Sequence, residues 1–219
     1  MYLKIVLLSQ KGRDIMKKNE KIMDVVFILD RSGSMSGTES DTIGGYNNYL
    51  KDFKKKNAKI TTVLFDDKYE MITERCNVKD VEELTKETYF VRGSTALMDA
   101  IGKTVNFMDQ KKAEKVMFII TTDGYENASK EFSKKQIKEM IEGHKNWEFM
   151  YIGADIDSYG EGASIGIKKS NIANYKKDRK GMDKMFKAVS MASEAFCEDR
   201  SIGLSWKEDL ENYINENES

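Results

Sequence analysis

Proline is missing from this chain altogether, histidine occurs once and cysteine only twice. Cys76 and Cys197 stand too far apart in sequence for a zinc motif, and they make no disulfide framework. Two reduced thiols point to the cytoplasm. With a single histidine, His144, far from Ser34 in sequence, a Ser-His-Asp triad is not expected. That histidine falls at the end of an expected helix, where a cation suits the dipole. Long apolar runs are absent too. Ile5–Leu8 is too short to span a membrane, and no small-residue cleavage site follows it, so no export signal is read there. The formal net charge is −1, which gives no electrostatic case for nucleic acid or an anionic membrane. The many lysines alternate with acids, as on solvated helix faces. There is no linker, repeat, low-complexity block or Walker phosphate loop.

What is present is a soluble globular balance: 219 residues, 40% apolar and 33% charged, enough for one large domain with its own core. Thirteen methionines and abundant lysine fit a bacterial or phage coding bias. The start, MYLKIVLLSQKGRD, reads as an edge strand or a loosely attached extension. Met16 offers a second plausible beginning.

The chain is organised around VVFILDRSGSM, residues 25–35. Val25–Leu29 form a buried strand that delivers Asp30 to its carboxyl end, with Ser32 and Ser34 on the loop beyond. A helix over Asp41–Lys55 follows, then strands Ile60–Phe65 and Tyr69–Glu74, so close together that they must form a hairpin. A short helical piece is expected at Val81–Leu84. Leu97, Ile101, Val105 and Met108 mark the next helix, and Val116–Thr121 a second fully apolar strand ending near Asp123. Helix Phe132–His144, strand Trp147–Ile152, a short helix over Asp155–Gly162, an edge strand within Ile167–Ala173 and a long helix Met182–Phe196 complete the alternation. In the tail, Trp206, Leu210, Tyr213 and Ile214 share one helical stripe. The pattern predicts a doubly wound, Rossmann-like α/β fold. About six mostly parallel strands, one of them antiparallel at an edge, are flanked by helices on both faces.

Three strand-end loops then offer hard oxygen ligands: Asp30-x-Ser32-x-Ser34, Thr95 and Asp123. Glycines 33, 93 and 124 accompany them. In a parallel sheet these loops share one edge, the place where such folds bind ligands. Oxygen donors of this kind suit Mg²⁺, with Mn²⁺ or Ca²⁺ as further candidates.

DRSGSM, the Thr95 of RGSTALMDAI and TTDG resemble the von Willebrand factor type A domain with its metal-ion-dependent adhesion site. The resemblance runs from about Met23 to Phe196. GGYNNYL, VLFDD, RGSTALMDAIG, TDGYENAS and WEFMYIGADID are more similar to compact, single-domain bacterial and phage members. It implies an N-terminal extension over residues 1–20, a von Willebrand factor A-like domain over 21–199 and an acidic, partly helical tail over 200–219. It implies that Ser32 and Ser34 bind the metal through their hydroxyls and Thr95 does so directly or through water. Asp30 and Asp123 would act largely through water and by orienting the hydroxyls. Arg31, Met35, Ser94, Tyr125 and Glu126 are expected on a rim that a partner touches, and Asp99, one turn beyond Thr95, either at the surface or behind the ligands rather than among them.

The function so implied is non-enzymatic: a divalent-metal-dependent module that binds a partner protein's Asp or Glu. The competing readings are a Mg²⁺-assisted hydrolase of phosphoryl groups, with Arg31 and Arg92 as its only nearby grips, and a structural domain whose metal site has decayed. Two decoys fall away. The glycines of residues 160–166 lack the spacing and the strand–turn–helix frame of a dinucleotide loop. Asp155 and Asp157 mimic the start of an EF-hand, but Gly166 stands where its bidentate acid belongs.

Overall fold

The apolar run at Val25–Leu29 becomes the centre of a six-stranded sheet. The strands are β1 (Met23–Asp30), β2 (Ala58–Phe65), β3 (Tyr69–Asn77), β4 (Lys115–Thr122), β5 (Glu148–Gly153) and β6 (Ile172–Asn174). The helices are α1 (Glu39–Phe53), α2 (Leu97–Gln110), α3 (Lys134–Gly143), α4 (Ser158–Ser164), α5 (Arg179–Cys197) and α6 (Glu208–Asn215). This computed structural model describes residues 22–216, so the extension expected over residues 1–20 lies outside the described residues.

The strand order is β3-β2-β1-β4-β5-β6. All neighbours are parallel except the β2–β3 hairpin, which puts the antiparallel strand at an edge. Leaving β1, the chain winds through β2 and β3 on one side and then returns to β4 on the other. The switch point is therefore the crevice between β1 and β4. Their register sets Leu29 beside Thr121, so Asp30 and Thr122 leave the sheet together.

Alternation divides the strands between two cores. Val25, Phe27 and Leu29 face α1 and α5, joined by Trp206 and by Leu210 of α6; Val26 and Ile28 face α2 and α3. Phe27 meets Tyr46 and Tyr49 edge-on, with centroids 5.2 and 4.8 Å apart. Such pairs contribute roughly 0.5–1.5 kcal/mol each beyond their burial, and they anchor α1 at the start of which the serine loop ends. Gly45 lets α1 approach α5: a Cβ there would run into the Phe186 ring.

The short helix expected at Val81–Leu84 does not form. A 3₁₀ turn covers Val78–Asp80 instead, and residues 81–85 are irregular. The physical reason is Asn47 of α1, whose carboxamide accepts the Leu84 N–H at 2.8 Å and donates to the Leu84 carbonyl at 2.9 Å. Both backbone groups are thus satisfied without a helix. Among the described residues no helix is long and apolar enough to cross a membrane.

Candidate metal centre

Asp30 ends β1 fully buried. Its Oδ1 accepts the Ser32 N–H at 2.6 Å and its Oδ2 accepts the Thr122 hydroxyl at 2.5 Å. Burial pushes this carboxyl up to about 6, against the lowering effect of those donors, and nearby Asp123 adds to the rise. Thr122 in turn accepts the Gly124 N–H at 3.2 Å. One carboxylate thereby ties the serine loop to the end of β4.

The hydroxyls form a relay across the crevice. Ser34 Oγ donates to Asp123 Oδ1 at 2.5 Å, and Ser32 Oγ lies 3.0 Å from Ser34 Oγ. Thr95 closes the set. A Cβ built on Gly124 would lie 2.9 Å from Thr95 Oγ1, 3.2 Å from Ser34 Oγ and 3.8 Å from Ser32 Oγ. Only glycine leaves the space between these three oxygens open. Among the described residues no three His, Cys, Asp or Glu side chains gather as a metal cluster, so a cation here would be held chiefly by hydroxyls, with Asp123 beside them. That donor set, and the glycine-lined space it surrounds, fit a hard divalent ion.

An ion network built on the buried Arg31–Asp66 pair stands behind the loops. Arg31 Nε donates to Asp66 at 2.9 Å and its Nη2 to Glu70 at 2.6 Å, while Arg92 Nε reaches the same Asp66 oxygen at 2.7 Å. Burial would raise the Asp66 carboxyl, but Arg92, the Lys68 N–H and Arg31 outweigh it and hold it below its ordinary value. The Asp66 carbonyl also accepts the Ala96 N–H at 2.9 Å. Gly93, in the loop between Arg92 and Thr95, has φ +67°, and a Cβ there would strike the Asp67 carboxylate.

The expected rim is only partly a rim. Ser94 and Tyr125 are exposed. Arg31 and Met35 are buried: Arg31 points back into the Asp66–Glu70 network, and the 3₁₀ turn at Gly33–Met35 carries Met35 inward, beneath Tyr175. Glu126 also turns inward. It accepts the Met98 N–H at the start of α2, the Ala128 and Ser129 N–H groups and the Ser129 hydroxyl. Asn127 accepts the Thr95 N–H at 3.0 Å and gives its own N–H to the Thr95 carbonyl at 3.0 Å. Asp99 accepts three N–H groups, from Lys130, Glu131 and Phe132, each at 2.9 Å. These residues hold the Thr95 and Asp123 loops against each other.

Sequence reasoning missed Lys177. It lies between β6 and α5, far from every motif, yet its Nζ stands 2.7 Å from Asp123 Oδ2 and donates to the Ser34 carbonyl. No local pattern announces it; only the fold brings it there. His144 is remote from the site, at the amino end of β5, with its ring stacked on Trp147 and bonded to the Met140 carbonyl and Asp109.

No protein-family model matches the chain, and no curated protein sequence does. Solved structures do. One is the von Willebrand factor domain of the type V pili tip protein Mfa5 from Porphyromonas gingivalis (TM-score 0.59, 10% identity, 78% of this chain and 96% of that one). Another is a von Willebrand factor type A protein from Catenulispora acidiphila (TM-score 0.55, 13% identity, 80% and 43%). The chain has the von Willebrand factor type A fold. The same fold matches proximal thread matrix protein 1 from the mussel byssus, in a structure whose adhesion-site motif is occupied by zinc (TM-score 0.58, 15% identity, 80% of this chain). The chain spans about half the length of that mussel protein, 46%. The type A fold accounts for the strand order, the single antiparallel edge and the switch-point crevice where the hydroxyls meet.

Proposed function

We propose that this type A domain is a divalent-metal-dependent protein-binding module, without enzymatic activity, that captures an Asp or Glu of a partner protein. The observation that carries the reading is the convergence of Ser32, Ser34 and Thr95 hydroxyls around Gly124, beside buried Asp123. Ser32, Ser34 and Thr95 would hold Mg²⁺ (or Mn²⁺ or Ca²⁺), with Asp123 and Asp30 orienting them. When bound, the ion supplies a positive centre that a partner carboxylate can join. Hydroxyl ligation leaves that centre under-neutralised, which favours an anionic partner group. Ser34 and Gly33 are exposed while Ser32 and Thr95 are buried, so a partner reaches the centre from the Ser34 side. Exposed Ser94 and Tyr125 flank that opening. The cytoplasm is the proposed setting, on the strength of the cysteine usage.

The hydrolase reading gains no support from its two arginines. Arg31 and Arg92 are both committed to Asp66 and Glu70, leaving neither placed to grip a phosphoryl group.

The test is capture of partners on an acidic-peptide resin and from a bacterial lysate, with Mg²⁺ and with EDTA. Capture is expected with Mg²⁺ only, and lost in Asp30→Ala and Ser32→Ala. Capture that survives both substitutions would overturn the reading.

A further inference from the structure

Lys177 and Asp123 form an ion pair inside the proposed metal centre. The Asp123 side chain is 1% exposed and that of Lys177 22%. Asp123 Oδ1 accepts a hydrogen bond from the Ser34 hydroxyl, and among the described residues Oδ2 is matched only by the Lys177 ammonium. The same ammonium donates to the Ser34 carbonyl, so it straddles the two loops that supply the serine and aspartate oxygens. We propose that Lys177 is a tethered counter-ion of Asp123 which a divalent cation has to displace, so that this lysine sets the protein's metal affinity. The inference rests on the metal-binding reading above and adds a residue that the motif does not contain.

A divalent ion beside Asp123 and an ammonium on the same carboxylate repel each other at close range in a poorly solvated place. Both cannot stay. The backbone around Lys177 is pinned: the Tyr175 N–H bonds the Gly153 carbonyl at 2.9 Å, and Asp178 caps α5 by accepting the Gly181 N–H at 2.7 Å. Displacement is therefore a swing of one flexible, partly exposed side chain rather than a loop movement. Without metal, the lysine keeps a buried carboxylate from standing uncompensated. Metal binding then samples only the fraction of molecules in which the lysine has withdrawn, and the dissociation constant rises by the inverse of that fraction.

The experiment uses the full chain with Mn²⁺ as the probe, read by the loss of the free-ion paramagnetic resonance signal. Lys177→Met is expected to bind Mn²⁺ at least about fivefold more tightly than wild type, as removal of an internal competitor requires. Equal or weaker binding by the variant overturns the inference and leaves the metal-binding reading intact. No Mn²⁺ binding by either protein overturns the metal reading, and the inference with it. A second measurement needs no variant: acetylation of Lys177 in wild type, followed by mass spectrometry, should rise several-fold when Mg²⁺ is added. Labelling that is unchanged or falls contradicts displacement.

Discussion

The Ser34 hydroxyl donates to Asp123 Oδ1 at 2.5 Å, joining loops 89 residues apart in the chain. This bond spans the crevice between β1 and β4 and aligns two oxygens of the proposed centre before any ion arrives. In Ser34→Ala the aspartate loses a charge-assisted donor. Urea unfolding in EDTA should show a loss of about 1–3 kcal/mol, and Mn²⁺ affinity should fall by more than tenfold. A variant equally stable and equally tight would show that the bond is incidental.

Gly124→Ala is the cleanest steric test. Its φ lies outside the left-handed region, so alanine is tolerated by the backbone, but the new methyl would stand 2.9 Å from Thr95 Oγ1 and 3.2 Å from Ser34 Oγ. The expected result is a folded protein, with a melting temperature within a few degrees of wild type, whose metal binding and metal-dependent capture are lost. Retained capture would mean that the three hydroxyls do not act together.

Arg31 and Tyr125 separate stability from recognition. Arg31 is buried and paired with Asp66 and Glu70, whereas Tyr125 is 53% exposed beside the opening. Arg31→Met breaks a buried ion pair, a change that typically costs roughly 3–5 kcal/mol, and should lower the chemical-denaturation midpoint markedly. Tyr125→Ala should leave the unfolding free energy within about 0.5 kcal/mol of wild type and weaken partner capture. The reverse pattern would restore Arg31 to the rim.

Asp99 gives the fold a pH dependence. Burial would raise its carboxyl, but the N–H groups of Lys130, Phe132 and Glu131 outweigh that and hold it below its ordinary value. Its stabilisation is therefore complete above the unfolded pKa near ~3.9 and is lost as pH falls through the lower folded value. Asp99→Asn should be less stable by about 2 kcal/mol at pH 7, and the gap to wild type should begin to shrink below about pH 4 and close only once pH has fallen below the folded value. Urea unfolding across this range checks it; parallel curves would contradict it.

The sheet was legible because its strands are apolar runs or alternations whose ends carry the chemistry: Val25–Leu29 before Asp30, and Val116–Thr121 before Asp123. The convergence of the serine loop and the Asp123 loop followed from topology, since β1 and β4 are parallel and end on one edge; Thr95, expected at a strand end, arrives instead on an irregular segment that leads into α2. What failed was inference from adjacency. Arg31 and Met35 sit beside the serines in sequence, but strand alternation and a 3₁₀ turn send both inward. Glu126, expected on the rim, instead clamps the start of α2, and its neighbour Asn127 clamps Thr95. The expected helix at Val81–Leu84 gave way to Asn47, a contact 37 residues away. Lys177 was illegible for the same reason: its role depends on where β6 ends relative to β4.

The most direct measurement is a calorimetric titration of Mg²⁺ into the wild-type chain and into Asp123→Ala. One site is expected in wild type and none in the variant. No heat in wild type, or a site of equal affinity in Asp123→Ala, would contradict it.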